Sequence, residues 1–274
     1  MQISTWRIIR SSPATGAWNM ALDEAILDSV GKGESPSTLR LYSWAPPCLS
    51  LGYAQPVSDV DFQALRQYGW DLVRRPTGGR AILHTDELTY AVVAPLAEPR
   101  VAGGVLESYQ RLSQALSLAL QMFGLPVQAE TEYTDSSSVT PKGPVCFDVP
   151  SNYEITVRGK KIIGSAQARR KDGILQHGSL PLFGDIGRIT HSLVFTDTIA
   201  RQEAAVRLIQ RATTVELALG RRVTWEEAAD KFEYAFCKAL NLQLVSGEPM
   251  QQEIRRAEEL VKEKYGNPVW NERV

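Results

Sequence analysis

Residues 146–182 read CFDVPSNYEITVRGKKIIGSAQARRKDGILQHGSLPL. Apolar and polar side chains alternate over 153–158, which is the period of a half-buried β-strand. The glycine of Arg158-Gly159 tolerates the positive φ that a two-residue turn requires. A second turn signal follows at Lys171-Asp172-Gly173, and a mainly apolar run continues over 174–182. The stretch therefore predicts a meander of three strands.

Two residues of this stretch can carry chemistry. Cys146 stands just before the first predicted strand, and Lys161 follows the first turn. A meander can return Lys161 to the beginning of its first strand, and a thiol beside an ammonium has a lowered pKa. Because the thiolate is the nucleophile that forms acyl-enzyme intermediates, the sequence predicts a catalytic pair. The alternative reading is that each residue is ordinary packing, since a free cysteine is often a small buried apolar side chain.

The rest of the chain alternates strand and helix signals without internal repeats. Apolar residues at helical spacing predict helices, and Thr-x-x-Glu patterns predict helix N-termini at Thr213 and Thr224. The predicted helices are 17–30, 60–68, 104–123, 199–211, 224–240 and 251–264. The further predicted strands are 6–9, 39–44, 48–53, 71–75 and 88–95. This order predicts an α/β chain with one catalytic domain over 1–274, on which a helical segment, about 197–274, packs.

A second candidate site lies at residues 74–84, RRPTGGRAILH, where a predicted strand runs into a Pro-Thr-Gly-Gly turn and a second strand follows. Paired glycines allow a tight turn and a close approach of the backbone to a ligand. Backbone N–H groups in such a loop can bind an anion or an acyl carbonyl. An ordinary glycine hairpin has the same composition. His84 at the end of the stretch equally suits a hydrogen-bonded strand residue.

Composition limits the class of protein. Of the 274 residues, 43% are hydrophobic, which is enough for a sizeable core. The 30 basic and 31 acidic residues give a net charge of −1, which argues against a bulk nucleic-acid binder. Three widely separated cysteines suit a reducing compartment. Neither a signal segment nor an apolar run of about 18 residues is present, so a cytoplasmic protein is expected.

Four blocks of sequence resemble the lipoate–protein ligase and octanoyltransferase superfamily. They are Cys146-Phe147-Asp148, Pro150-Ser151 with Tyr153-Glu154, GKKIIGSAQ over 159–167, and LQHGS over 175–179. The resemblance extends from Trp6 to Asn271 and is strongest to the octanoyltransferases that use a cysteine. It implies the fold of biotin and lipoate protein ligases, related to class II aminoacyl-tRNA synthetases. That fold is a mixed, largely antiparallel sheet with flanking helices.

The resemblance also implies an activity. Octanoyl would pass from acyl carrier protein to a lysine of a lipoyl-domain protein such as the glycine cleavage H protein. Cys146 would attack the donor thioester, and Lys161 would lower the pKa of the thiol and assist proton transfer. Because a thioester already holds the energy for amide formation, no ATP, no other cofactor and no metal are expected. No nucleic acid or membrane partner is expected either, and the chain is expected to be a monomer.

The same resemblance assigns a substrate-binding role to the glycine loop and to the meander. The residues are Arg74, Arg75, Thr77, Gly78, Gly79, His84, Gly164, Ser165, Ala166, His177 and Gly178. Backbone N–H groups near Gly78-Gly79 or Gly164-Ser165 would stabilise the oxyanion. Basic residues would contact acidic carrier domains or the phosphopantetheine phosphate; the candidates are Arg74, Arg75, Arg169, Arg170 and Lys171. Solvated surface charge is the alternative reading for the last three.

One departure from the pattern separates this chain from the ATP-dependent ligases. They typically carry a third glycine where this chain has Arg80. Further along, this chain has His84-Thr85-Asp86-Glu87-Leu88 where their later pair, a His-Asp and a Gly-Asn, would fall. The departure argues against nucleotide binding. Three alternatives stay open: an ATP-dependent lipoate–protein ligase, an amidotransferase between lipoyl-domain proteins, and a non-catalytic protein that binds acyl groups or carriers.

Overall fold

The computed structural model describes residues 2–129 and 155–274. Within these ranges the strands are β1 (Ser4–Arg10), β2 (Thr38–Tyr42), β3 (Cys48–Leu51), β4 (Asp71–Arg74), β5 (Ile82–His84), β6 (Glu87–Ala94), β7 (Val127–Ala129), β8 (Ile155–Val157), β9 (Lys160–Arg169), β10 (Ile174–Pro181) and β11 (Leu242–Ser246). The α-helices are α1 (Gly16–Gly31), α2 (Phe62–Tyr68), α3 (Val105–Gln121), α4 (Thr198–Arg211), α5 (Val215–Leu219), α6 (Trp225–Leu240), α7 (Gln251–Leu260) and α8 (Pro268–Asn271). Short 3₁₀ segments occur at Val57–Asp59 and Ile186–Ser192, and Val261–Tyr265 forms a π-turn.

Two sheets organise the chain. The larger has the order β11-β1-β2-β6-β10-β9-β8-β7, in which β1 is parallel to both of its neighbours and the other adjacent pairs are antiparallel. The smaller has the order β4-β3-β5. The predicted mixed, largely antiparallel sheet with flanking helices is therefore confirmed. The structure adds the separate small sheet.

Helices cover both faces of the large sheet. Because successive strand side chains point to opposite faces, β6 contributes to two cores. Leu88, Tyr90 and Val92 pack in the core that includes α3 and α6. Ala91 and Val93 pack in the core that includes α1. A third core lies under the small sheet, beside α4 and the segment Ile186–Ser192.

The described part of the predicted meander is confirmed. Strands β8, β9 and β10 are consecutive and antiparallel. Arg158 and Gly159 have φ of 52° and 74°, as the predicted two-residue turn requires. Strand β7 pairs with β8 so that Ala129 lies opposite Ile155, and the two described ranges therefore meet side by side. Cys146 lies outside the described residues.

The C-terminal segment differs from its prediction in two places. It is helical, but β11 also joins the large sheet as the parallel edge partner of β1. Helix α5 begins after Thr214, not after Thr213, because the Thr214 hydroxyl accepts from the Leu217 N–H. Thr213 instead donates its N–H to the Lys161 carbonyl, which keeps the chain extended one residue longer. In the described ranges, no helix combines the length and apolar character of a membrane span.

Candidate active site

A cavity opens where β6, β9 and β10 meet the small sheet. It brings together eight of the residues predicted to bind substrate: Arg75, Gly79, His84, Gly164, Ser165, Ala166, His177 and Gly178. Side chains that the sequence did not nominate complete its wall: Met20, Tyr42, Trp44, Ile82, Thr89 and Ser179. The cavity therefore combines a mainly apolar wall with a polar cluster on β6 and β10.

The floor of the cavity is formed by β9 and β10, and it depends on Gly178. An ideal Cβ at Gly178 would lie 2.6 Å from the Gly164 carbonyl oxygen and 2.7 Å from a ring carbon of Tyr90. The missing side chain lets the Tyr90 ring pass beneath the strand pair. The Tyr90 hydroxyl lies 2.8 Å from Ser165 Oγ, and burial raises the pKa of Tyr90 to about 12. Tyr90 therefore stays protonated near neutral pH.

His84 is held from both ring nitrogens and from one face. Its Nε2 lies 2.6 Å from Ser50 Oγ, and its Nδ1 lies 2.7 Å from Glu87 Oε1. The Trp44 ring stacks on the imidazole at 4.0 Å, with the two planes 10° apart. Arg75 donates to the same Ser50 hydroxyl at 2.8 Å. His84 is thus a hydrogen-bonded strand residue that also lines the cavity.

Glu87 is the buried anion behind this wall. Its Oε1 accepts from the hydroxyls of Ser179 at 2.8 Å and of Thr89 at 2.5 Å. Burial by itself raises the pKa of Glu87, but His84 and the two hydroxyl donors outweigh burial and hold the pKa below its usual value. Thr89 also accepts from the Trp44 indole N–H at 2.7 Å. The carboxylate therefore fixes two side chains that form the cavity wall.

His177 belongs to a second buried cluster. Its Nε2 lies 2.7 Å from Thr77 Oγ1, and its Nδ1 lies 3.4 Å from Asp23 Oδ2. Asp23 also forms a 2.7 Å ion pair with Arg40 and accepts from the Tyr42 hydroxyl at 2.8 Å. Burial lowers the pKa of His177 more than Asp23 raises it. Burial opposes ionisation of Asp23, but Arg40 and His177 hold the pKa of Asp23 below its usual value.

The glycine loop is fixed from inside by Arg75. Its Nη2 donates to the Gly78 carbonyl at 2.9 Å and to the Arg80 carbonyl at 3.0 Å. The loop also crosses Gly52 so closely that a Cβ there would lie 1.8 Å from the Gly79 carbonyl oxygen. Gly79 has φ of 93°, a conformation that favours glycine. The backbone at Gly78 and Gly79 is exposed but held in one place.

The expected carrier contact of Arg74 does not fit the structure. Its side chain is fully buried, and its guanidinium donates to the carbonyls of Gly52, Gln55, Asn271 and Arg273. Arg74 therefore joins the small sheet to α8 and the residues after it, and offers no donor to a carrier surface.

The other basic residues proposed to contact a carrier differ in how far they are engaged within the protein. Arg75 is also buried, in the position described above. Arg169 donates to the Gly103 carbonyl at 2.7 Å, and Arg170 pairs with Glu24 at 2.8 Å. Lys171 is exposed in the turn between β9 and β10. Only the last of these is placed as a solvated surface charge.

Of the predicted catalytic pair, Lys161 lies within the described residues and Cys146 does not. Lys161 lies on β9 with 5% of its surface exposed, three residues before Gly164 in the cavity floor. At about 3.3 Å per residue, this separation is roughly 10 Å along the strand. Because Cys146 lies outside the described residues, the pair stays a prediction.

The two described cysteines are poorly suited to nucleophilic attack. Cys48 is fully buried, and burial raises its pKa well above the usual value. Burial is also the largest influence on Cys237 and raises its pKa. Within the described ranges, no group of three His, Cys, Asp or Glu side chains is arranged to hold a metal ion.

Sequence reasoning missed the buried acids that support the site. Asp23 lies inside the predicted apolar helix, four residues after Asn19, and both side chains are buried. A polar pair at this spacing within an apolar helix was the available signal, because it places both residues on one face. Glu87, three residues after His84 in the same sequence block, was the second available signal.

Comparison with known proteins agrees with this geometry. The family model of the lipoyl protein ligase A/B catalytic domain matches residues 15–237. Octanoyltransferase LipM of Symbiobacterium thermophilum is 41% identical over 98% of this chain and 99% of its own length. Octanoyltransferase LipM of Bacillus subtilis is 37% identical over 99% of both chains.

Solved structures show the same fold. A bipartite lipoate protein ligase of Thermoplasma acidophilum superposes with a TM-score of 0.81, at 23% identity over 99% of this chain and 97% of its own. A lipoate-protein ligase A bound with ATP has a TM-score of 0.79, at 24% identity over 98% of this chain and 99% of its own. The chain therefore belongs to the lipoyl protein ligase A/B catalytic domain family and is an acyltransferase of its octanoyltransferase branch.

Proposed function

We propose that this acyltransferase of lipoate biosynthesis takes octanoyl from the phosphopantetheine thioester of acyl carrier protein and passes it to a lysine of a lipoyl-domain protein. The glycine cleavage H protein is the expected acceptor, and a thioester on Cys146 is the intermediate. The observation that carries the proposal is the cavity on β9 and β10, whose apolar wall and exposed glycine loop suit an acyl thioester.

The apolar wall supplies binding energy for the acyl chain. Met20, Trp44 and Ile82 line the cavity together with the β9 residue Ala166. Burying about seven methylene and methyl groups at ~0.8 kcal/mol each contributes roughly 5 kcal/mol. Octanoyl would therefore lie along this wall, with its carbonyl toward the glycine loop.

The chemistry needs two exchanges at one carbonyl. The Cys146 thiolate attacks the donor thioester, and the phosphopantetheine sulfur leaves and takes a proton. The neutral amine of the acceptor lysine then attacks the Cys146 thioester, the amide forms, and the Cys146 sulfur leaves as thiolate. Lys161 would stabilise the thiolate and carry a proton between these steps. Both exchanges balance without ATP, because amide formation from a thioester is downhill.

The glycine loop would stabilise the oxyanion of each step. Gly78 and Gly79 lie outside the strands and are exposed, so their N–H groups can approach a ligand. Arg75 holds the carbonyls of this loop inward, so the loop needs little rearrangement during the reaction. Preorganised donors of this kind typically contribute several kcal/mol to catalysis.

The first test is intact-mass spectrometry after incubation with octanoyl-acyl carrier protein in the absence of ATP. We expect one octanoyl adduct, on Cys146, that neutral hydroxylamine removes. Cys237→Ser is the matched control and should keep the adduct, whereas Cys146→Ser should lose the hydroxylamine-sensitive thioester. An adduct on Cys48 or Cys237 would disprove the assignment.

The same assay separates the alternatives. An amidotransferase would become acylated by an octanoylated lipoyl-domain protein in preference to acyl carrier protein. A ligase would act on free octanoate or lipoate only with ATP and Mg²⁺. A non-catalytic carrier-binding protein would bind octanoyl-acyl carrier protein and remain unacylated.

A further inference from the structure

An open groove adjoins the acyl cavity on the outer side of the glycine loop. The described residues that line it are Tyr53, Ala54, Gln55, Pro76, Gly78, Gly79, Arg80, Ala168 and Arg169. Gly79 lines both the groove and the cavity. The glycine loop is therefore the wall between an apolar interior and a polar exterior channel.

The charged residues that line the groove, among those the structure describes, are all basic. None of the described lining residues is acidic, and two are arginines. Arg169 is engaged, because its guanidinium donates to the Gly103 carbonyl and to Gln167 Oε1. Arg80 is half-buried, and in the described part of the chain no hydrogen bond or ion pair of its guanidinium is seen. Arg80 thus presents a cation to an occupant of the groove.

We propose that the groove holds the phosphopantetheine arm of the acyl donor, and that Arg80 binds the phosphate of that arm. The proposal rests on the proposed function. With octanoyl inside the cavity and its thioester carbonyl at the glycine loop, the rest of the donor must leave the cavity past Gly79. The groove begins at that residue. Guanidinium groups suit phosphate because they donate two parallel hydrogen bonds to its oxygens.

The loop geometry explains why Arg80 is suited to this task. Its backbone carbonyl accepts from Arg75, so the position of its Cα is set from the cavity side. Its side chain then extends from a fixed base into the groove. A phosphate held there would orient the arm and place the thioester beside the glycine loop, which makes Arg80 a residue of donor recognition.

The test compares two small donors that differ only in the phosphate: octanoyl-4′-phosphopantetheine and octanoyl-pantetheine. Loss of a charge-assisted hydrogen bond predicts that Arg80→Gln raises KM for the phosphorylated donor about tenfold. The KM for octanoyl-pantetheine and both kcat values should stay unchanged. Arg80→Lys should recover part of the loss. Arg66→Gln, at an exposed position of α2 that does not line the groove, is the matched control and should change neither KM.

Each other outcome contradicts the inference in a different way. An equal loss with both donors would mean that Arg80 acts through the loop and not through phosphate. No loss with either donor would place the phosphate elsewhere. If the unmodified enzyme used no thioester at all, the proposed function would fail first, and this inference with it.

Discussion

Lys161 is the residue on which the proposed chemistry can be tested most directly. An ammonium beside Cys146 should stabilise the thiolate, so that the thiol titrates below the usual value of about 8.5. Lys161→Ala removes the charge, and the midpoint of iodoacetamide alkylation of Cys146 should then move to higher pH. Octanoyl transfer should fall by more than any loss of folded protein explains, with circular dichroism as the measure of folding.

The arginine variant separates two roles of the same side chain. Lys161→Arg keeps a positive charge but does not exchange a proton readily near neutral pH. Partial recovery of transfer would indicate a purely electrostatic role, whereas a reactive thiolate with no transfer would indicate proton transfer. An alkylation midpoint that is unchanged in the alanine variant would show that Lys161 does not contact the thiol.

His177 predicts a pH dependence of stability. Burial holds the folded-state pKa of His177 below its usual value of about 6.5. As pH falls below that value, the unfolded chain takes up the proton first, so the free energy of unfolding should decrease from pH 7 to pH 5. Asp23 also has a lowered pKa, and its contribution is therefore lost only at lower pH, below about 4. Urea unfolding at several pH values measures the slope.

Two variants identify which group causes the change in the free energy of unfolding with pH. His177→Gln should flatten the decrease between pH 7 and pH 5, because it removes the titrating group. His191 is exposed, so His191→Gln is the matched control and should keep the slope of the unmodified protein. A slope that persists in His177→Gln would assign the pH dependence to another group.

At the scale of single residues, the sequence predicted the residues that line the cavity better than the buried carboxylates that hold them in place. Gly164, Ser165 and His177 belong to continuous motifs, so their roles could be inferred from neighbours along the chain. Asp23 and Glu87 reach the site only because α1 and β6 pack beside β10. For Arg74 the sequence was misleading in the other direction. Its charge suggested a contact with a carrier at the surface, but in the folded chain the guanidinium is buried among backbone carbonyls.

Strand β10 gives a prediction at the scale of the element. Gly178→Ala would place a methyl group within 3 Å of both the Gly164 carbonyl and the Tyr90 ring. Because backbone and a packed ring cannot easily move, overpacking should destabilise the fold by about 1–3 kcal/mol and reduce octanoyl transfer. Chemical unfolding measures the first effect. Gly78→Ala is the stability control, since a Cβ there meets nothing within 4 Å, and equal destabilisation by both variants would contradict the argument.

Element prediction succeeded where a pattern was long enough to repeat. The alternation and turn glycines of the meander, and the apolar face of α3, specify their elements locally. Strand β11 was not predicted, because its place in the sheet depends on pairing with β1, which is distant in sequence. The cap of α5 was predicted one residue early because a tertiary hydrogen bond from Thr213 overrides the local Thr-x-x-Glu signal.

At the scale of the whole molecule, we expect this protein to differ from ATP-dependent ligases of the same fold in its affinity for ATP. It shares the fold of a lipoate-protein ligase bound with ATP, but Arg80 stands in the loop where a third glycine was expected for nucleotide use. We expect calorimetry with ATP and Mg²⁺ to show weak or no binding, and transfer from octanoyl-acyl carrier protein to be independent of both. Micromolar affinity for ATP would favour a ligase.

The contacts of Arg74 with the carbonyls of Asn271 and Arg273 have a consequence for synthesis on the ribosome. The small sheet and the glycine loop are made early, yet the buried guanidinium beside them finds two of its acceptors 197 and 199 residues later in the chain. Strand β1 is likewise made early, but it can pair with β11 only after residues 242–246 have been translated. A nascent chain would therefore carry an incomplete support for the glycine loop until residues 271–273 have been made and have folded back onto Arg74.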